Sequence, residues 1–219
     1  MAAIPMAYAS VAALQHDHRA CRRCVVAGYL DLAHPVFSGR AGQRILLVGQ
    51  APGPYEVDAN RPFAARAGRQ LMRWMERAGF SGDEDVRQRM YMTAMTTCFP
   101  GRRPGGQGDR RPSAREVALC SSWLDAVLEL LRPRLILPVG SLALERFLPH
   151  RRLDQVVGEA YTQTGEVIVA TPSAAPVLLP LPHPSGQSRW LNDRTQSALL
   201  DRALLRLHEL VRWAESSEN

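Results

Sequence analysis

The sequence predicts an α/β fold, a three-layer αβα sandwich with a central, mostly parallel four-stranded sheet and an N-terminal segment tethered to it. Short aliphatic runs, "RILLVG" and "RLILPVG", together with the β-rich "RMYMTAMTTC", recur between longer segments whose apolar residues have helical spacing. Continuous apolar runs suit strands covered on both faces, the arrangement of parallel sheets with helices above and below. The 219 residues, 46% hydrophobic, suffice to bury one such core. We read one domain over 1–219, with a helix and CxxC segment at 1–43 packed on it.

Residues 1 to about 20 read as a lead-in helix, followed by "CRRC" at Cys21 to Cys24 and a loop-like stretch to Gln43. "RILLVG" is a buried strand. The next helix places Leu71, Met72, Met75 and Ala78 on one face before Gly79 stops it, completing a β-loop-α unit. "RMYMTAMTTC" forms a second strand to Cys98, and "FPGRRPGGQGDRRP" a flexible, Arg-laden loop. "SAREVALCSSWLDAVLELL" opens on a capping box, Ser113 with Glu116, and runs as a helix until Pro133. "RLILPVG" is a third strand, "SLALERFL" a short helix, and "EVIVATP" with "VLLPLPHPSG" supplies further strand material. A helix from about 193 to 214 closes the chain.

The net charge is +6 and the pI about 9.7, which favours an anionic partner such as nucleic acid. All 27 basic residues are Arg. That composition excludes a lysine Schiff base, a P-loop lysine and a lysine general base; its plainest source is GC-rich coding. No apolar run reaches membrane-spanning length, and the first residues lack the order of a secretory signal. The expectation is a soluble, monomeric, cytoplasmic protein, nucleoid-associated if bacterial.

Two loops follow apolar segments. "VGQAPGPYE" puts Gln50 and Ala51 where a hydrolase would want an acid. In "LPHPSGQSRW", Pro182 and Pro184 restrict the backbone around His183, while Ser185 and Gly186 offer a hydroxyl and bare backbone suited to phosphate. The plainer alternative is a tight turn with a surface His. Among the four cysteines, Cys21 and Cys24 form a CxxC, whereas Cys98 and Cys120 stand apart. This spacing is poor for zinc and tolerable for iron–sulfur, with independent buried thiols as the alternative.

Together, "VGQAPG" and "HPSGQSR" resemble the two signature motifs of the uracil-DNA glycosylase superfamily. "RPFAARAGRQL" and "YMTAMTTCFPG…RRPSAREVALC" resemble stretches of its iron–sulfur branches, so the resemblance runs from Cys21 to about Leu200. It mixes two branches. Type four usually has Glu where Gln50 stands and a uracil-reading Asn where Ala94 stands. The small residue at 94 and "HPS" are closer to type five, from whose "GLAPA" loop Gln50 and Gly53 depart. A related DNA-crosslinking group has a His in the loop after the third Cys; residues 99–112 contain none.

The resemblance implies a monofunctional DNA glycosylase that releases uracil for base excision repair and leaves an abasic site. In that reading His183 donates a hydrogen bond to the base O2, and Gln50 holds a water by its amide. Gly49, Ala51, Gly53, Tyr55, Glu56, Phe63 and Ala94 surround the base. Phe63 stacks on it, the alternative being a core Phe. Ser185, Gly186, Gln187 and Arg189 meet DNA, with Trp190 or Leu191 as apolar wedges, and Arg102, Arg103, Arg110 and Arg111 contact phosphates unless they form a merely solvated loop. Cys21, Cys24, Cys98 and Cys120 hold a [4Fe–4S] cluster with a structural role. Ala94 and Gly53 suggest a wider range, including hypoxanthine or 5-substituted uracils, although Tyr55 or Glu56 could swing into the space Gly53 leaves. The competing readings are a catalytically silent iron–sulfur DNA-binding relative, favoured by Ala51 and Ala94, and a hydrolase of free nucleosides.

Overall fold

The apolar run ahead of the first loop forms β1 (Ile45–Gly49), buried along its whole length. The structure, a computed structural model, describes residues 8–106, 108–185, 190 and 193–216. Two further buried strands, β2 (Met90–Ala94) and β3 (Leu135–Pro138), lie parallel to β1 on either side of it. The sheet continues through β4 (Ala160–Tyr161), β5 (Val167–Ile168) and β6 (Val177–Leu178), in the order β2-β1-β3-β6-β4-β5. β6 is parallel to β3, and β4 and β5 add an antiparallel edge.

The expected parallel set of four is therefore present, inside a mixed six-stranded sheet. The extra edge consists of two-residue strands, too short to show a period in sequence. β2 ends at Ala94 rather than Cys98; beyond it the backbone still follows the end of β1, with Met95 N donating to Gly49 O at 3.0 Å and Thr96 N to Gln50 O at 3.2 Å.

Alternation along β1 builds the three layers. Ile45 and Leu47 face a core shared with α4 (Arg66–Arg77), which contributes Leu71, Trp74 and Met75, and with α9 (Arg194–Glu215), which contributes Leu204 and Leu207. Leu46 and Val48 face the opposite core, under α1 (Val11–Arg19), α6 (Ala114–Leu131) and α7 (Ser141–Phe147). The capping box at Ser113 forms as the sequence predicts, with Glu116 N on Ser113 Oγ and Ser113 N on Glu116 Oε2. Four short helices, α2 (Arg23–Val26), α3 (Pro54–Ala59), α5 (Asp83–Arg89) and α8 (Leu153–Val156), occupy stretches with no sequence-predicted helix. They are too brief for helical periodicity to declare itself.

Among its described residues the Arg-laden segment pairs with itself as a hairpin: Arg102 bridges Asp109, Arg103 N donates to Gly108 O at 3.0 Å and Arg110 N to Gly101 O at 3.0 Å. No described helix is long and apolar enough to cross a membrane.

Candidate active site

The carboxyl ends of the parallel strands converge, as their hydrogen bonding requires. Val139 N donates to Val48 O at 2.9 Å, and Gly140 N to Leu181 O at 2.9 Å. The loop after β1, the start of the β2 exit, Gly140 and the 181–185 segment therefore share one end of the sheet, where open α/β sheets bind ligands. Gly49 pairs with Ala94 across β1 and β2. The Gln50 carbonyl is engaged by Thr96, while its side-chain amide makes no hydrogen bond among the described residues.

Phe63 is brought to this end by backbone strain. Its φ is +54°, a left-handed conformation costing about 1–2 kcal/mol for an L-residue. The ring then reaches across Gly49: a Cβ there would stand 2.9 Å from Phe63 Cζ. Gly68, at the start of α4, leaves room for the backbone of the same residue, since a Cβ would meet Phe63 O at 1.7 Å. Such strain persists where surrounding structure enforces it, and it is concentrated at functional sites. The ring is partly buried, packed against the core.

His183 is seated on Gly140, whose φ is +85° and where a Cβ would lie 3.2 Å from His183 Cδ2. Ser185 N donates to His183 Nδ1 at 3.2 Å. Because Nδ1 accepts, the neutral imidazole carries its proton on Nε2. Burial lowers the His183 pKa from 6.5, which keeps the ring neutral at pH 7. The loop thus presents a single oriented N–H donor.

Of the two residues expected to fill the space beside Gly53, Glu56 does so: a Gly53 Cβ would lie 3.0 Å from its Oε2. It is buried, and its carboxylate accepts from Gly53 N at 3.1 Å and Ala65 N at 3.1 Å, so it braces the loop. Tyr55 is 61% exposed. Asp109 reaches the same point from the hairpin: a Gly53 Cβ would lie 3.1 Å from Asp109 Oδ2. Sequence reasoning did not single out Asp109, because no local spacing relates it to the first loop. Ala51 and Ala94 present no polar side chain.

The arginines divide by role. Both terminal nitrogens of Arg110 lie 2.7 Å from Glu116 oxygens, so its guanidinium is committed to the fold. Arg102 lies 3.8 Å from Asp109, Arg103 is exposed, and Arg111 Nη1 reaches Ser141 Oγ at 3.5 Å. Gly186, Gln187, Arg189 and Leu191 lie outside the described residues; Trp190 is partly buried against the core.

The four cysteines, distant in sequence, line one cavity together with Leu30, Ala33, Thr96 and Thr97. None is in a disulfide. Trp123 Nε1 donates to Cys21 Sγ at 3.3 Å, and Thr97 Oγ1 lies 3.7 Å from Cys120 Sγ. Burial pushes the Cys98 thiol up to about 12 and the Cys24 thiol to about 11. Next to them His18 stacks between Phe37 and Trp123, its ring centroid 4.5 and 4.4 Å from theirs, with Nε2 on Thr97 Oγ1 at 2.9 Å. Burial, reinforced by Arg23 and Arg19, lowers its pKa to about 3. Among the described residues no three His, Cys, Asp or Glu groups converge on one ion. The donor set that lines the cavity is four thiols, the type iron–sulfur clusters take.

Comparison with known proteins agrees with this geometry. Residues 36–207 match the family model described as the uracil DNA glycosylase superfamily. The chain is 30% identical to a type-4 uracil-DNA glycosylase of Thermotoga maritima over 118 residues, 54% of this chain and 56% of that protein. It is 30% identical to a type-4 uracil-DNA glycosylase of Pyrobaculum aerophilum over 146 residues, 64% and 68% of the two chains. A type-5 uracil-DNA glycosylase of the same organism is 33% identical over 115 residues, 48% of each. The chain thus spans about half to two thirds of the length of these relatives and mixes features of both branches. A family model that covers both signature loops, on a sheet that brings those loops to one end, establishes that this chain belongs to the uracil-DNA glycosylase superfamily.

Proposed function

We propose that the protein is a monofunctional DNA glycosylase that hydrolyses the N-glycosidic bond of uracil in DNA and leaves an abasic site. One observation carries the reading: a neutral His183, proton on Nε2, stands at the sheet end where Phe63 lies across Gly49. Cleavage asks for help as the base leaves with negative charge on O2, and a preorganised N–H donor in a partly buried site supplies it. Phe63 gives the flipped base a face to stack on. The Gln50 amide, free of described protein partners, is available to a base edge or a water, but an amide does not take a proton at neutral pH. With Ala94 lacking a reading group, the accepted bases extend to hypoxanthine or 5-substituted uracils.

Arg102, Arg103 and Arg111 contact phosphates in this reading, as do Ser185 and Gly186, while Gln187 and Arg189 enter the minor groove or the gap left in the stack. Cys21, Cys24, Cys98 and Cys120 hold a [4Fe–4S] cluster, which when bound ties the N-terminal segment to the β2 exit and α6. The chain has no Lys to form an imine with the abasic sugar, which leaves an N-terminal amine as the formal loophole, and the reading is of a monofunctional enzyme.

Uracil-containing duplex and single strand are incubated with the protein and then treated with alkali. Strand breaks that appear only after alkali support the proposal. Binding without breaks supports instead a silent lesion-binding relative. Purified protein that shows no visible absorption removes the cluster.

A further inference from the structure

The first loop has no carboxylate at its apex, yet the fold delivers one from elsewhere. Asp109 belongs to the hairpin between β2 and α6, and its Oδ2 stands 3.1 Å from where a Gly53 Cβ would be. The absence of a side chain at Gly53 opens this slot. Glu56 is the other carboxylate beside the loop, with Oε2 at 3.0 Å from the same point. It is unavailable for chemistry, because it is buried and each oxygen accepts a backbone N–H. Asp109 is constrained differently: its side chain is 43% exposed, and among the described residues its ion pair is with Arg102 at 3.8 Å, longer than a hydrogen bond. Its oxygens are therefore open to water at the rim of the site.

The position of Asp109 is set by its neighbours rather than by its own contacts. Arg110, next in sequence, makes a two-pronged contact with Glu116, which is buried and closes the capping box of α6. The pairing of Arg103 with Gly108, and of Arg110 with Gly101, holds the other strand of the hairpin. The carboxylate is thus mounted on a braced arm, as a group that must meet a transition state requires.

We propose that Asp109 is the group that activates water for glycosidic hydrolysis, the role that neither Ala51 nor the Gln50 amide fills; the inference rests on the glycosylase reading above. As the C1′–N bond breaks, its electron pair leaves with the base, whose O2 accepts a hydrogen bond from His183 Nε2. The sugar becomes cationic at C1′, and the Asp109 carboxylate faces that charge. A water oxygen bonds to C1′ and one of its protons passes to Asp109, giving the abasic sugar; the base anion then takes a proton from solvent and Asp109 returns its own to solvent, which completes hydrolysis.

The test compares wild type, Asp109→Asn and Asp109→Ala in single-turnover excision from uracil-containing single strand. In parallel, affinity is measured for DNA carrying 2′-fluoro-deoxyuridine, which resists cleavage. Asp109→Asn is expected to slow excision about a hundredfold, the low end of general-base effects, with affinity unchanged or tighter. Added formate is expected to restore part of the Asp109→Ala rate and none of the rate of His183→Ala. Excision by Asp109→Asn at the wild-type rate overturns the proposal, as does a loss of rate matched by an equal loss of affinity. A change confined to which 5-substituted bases are accepted also overturns it. A wild-type protein that excises nothing overturns the glycosylase reading itself.

Discussion

Ser185 N–H donates to His183 Nδ1 at 3.2 Å, and this one backbone contact decides which imidazole nitrogen faces the site as a donor. A protonated ring would set Nδ1–H against Ser185 N–H. The neutral tautomer is therefore the working form, and burial favours it by lowering the pKa. His183→Ala is expected to reduce single-turnover excision a hundred- to thousandfold, about 2.7–4 kcal/mol of barrier, measured by alkali cleavage. The sign of the shift sets the pH behaviour: with a folded pKa below 6.5, His183 stays neutral from about pH 8.5 down to about 7.5 and takes up its proton at lower pH than a free imidazole. Imidazole ¹⁵N shifts over that range are expected to show Nδ1 unprotonated throughout; a ring that titrates at or above 6.5 contradicts the assignment.

Phe63 and Gly49 form a second matched pair. Gly49→Ala places a methyl 2.9 Å from Phe63 Cζ and forces the ring to move. Phe63→Ala removes the ring outright, and base–aromatic stacking is worth about 1–3 kcal/mol. Both variants are expected to weaken affinity for DNA carrying uncleavable uracil while leaving affinity for undamaged DNA unchanged, as read by fluorescence anisotropy.

The Arg110–Glu116 pair links the hairpin to α6 and makes a stability prediction. Arg110 beside it holds the Glu116 carboxyl at about 2, against an ordinary 4.5. A lowered carboxylate pKa stabilises the fold above pH 4.5, and that stabilisation drains away as the pH falls from 4.5 towards 2. Arg110→Met leaves a buried charge unpaired and is expected to cost about 3–5 kcal/mol at pH 7 in urea denaturation. The difference from wild type should shrink below pH 4.5. Trypsin should also cut the variant faster after Arg102, because the hairpin loses its brace.

Salt dependence separates the arginines. Arg103→Ala and Arg111→Ala are each expected to reduce the slope of log K against log salt on single strands by about 0.7, one phosphate contact apiece. Arg110→Met is expected to leave that slope unchanged, since its guanidinium is held by Glu116.

The sequence by itself determined the α/β class, the buried strands, the Ser113 capping box and the two loops that meet at the sheet end. Each depends on local patterning: continuous apolar runs, cap residues at fixed offsets, and Gly or Pro after a strand. Only the tertiary structure decided which side chains those loops share. Phe63 lies over Gly49 because a left-handed residue between α3 and α4 turns its ring back. The four cysteines share a cavity because α1, the β2 exit and α6 pack together on one face of the sheet. Arg110 and Glu56 take structural parts, Arg110 on the Glu116 carboxylate and Glu56 on the backbone N–H groups of Gly53 and Ala65. Asp109 reaches Gly53 through a hairpin whose register is set by backbone pairing, and pairing between distant residues leaves no period in the sequence.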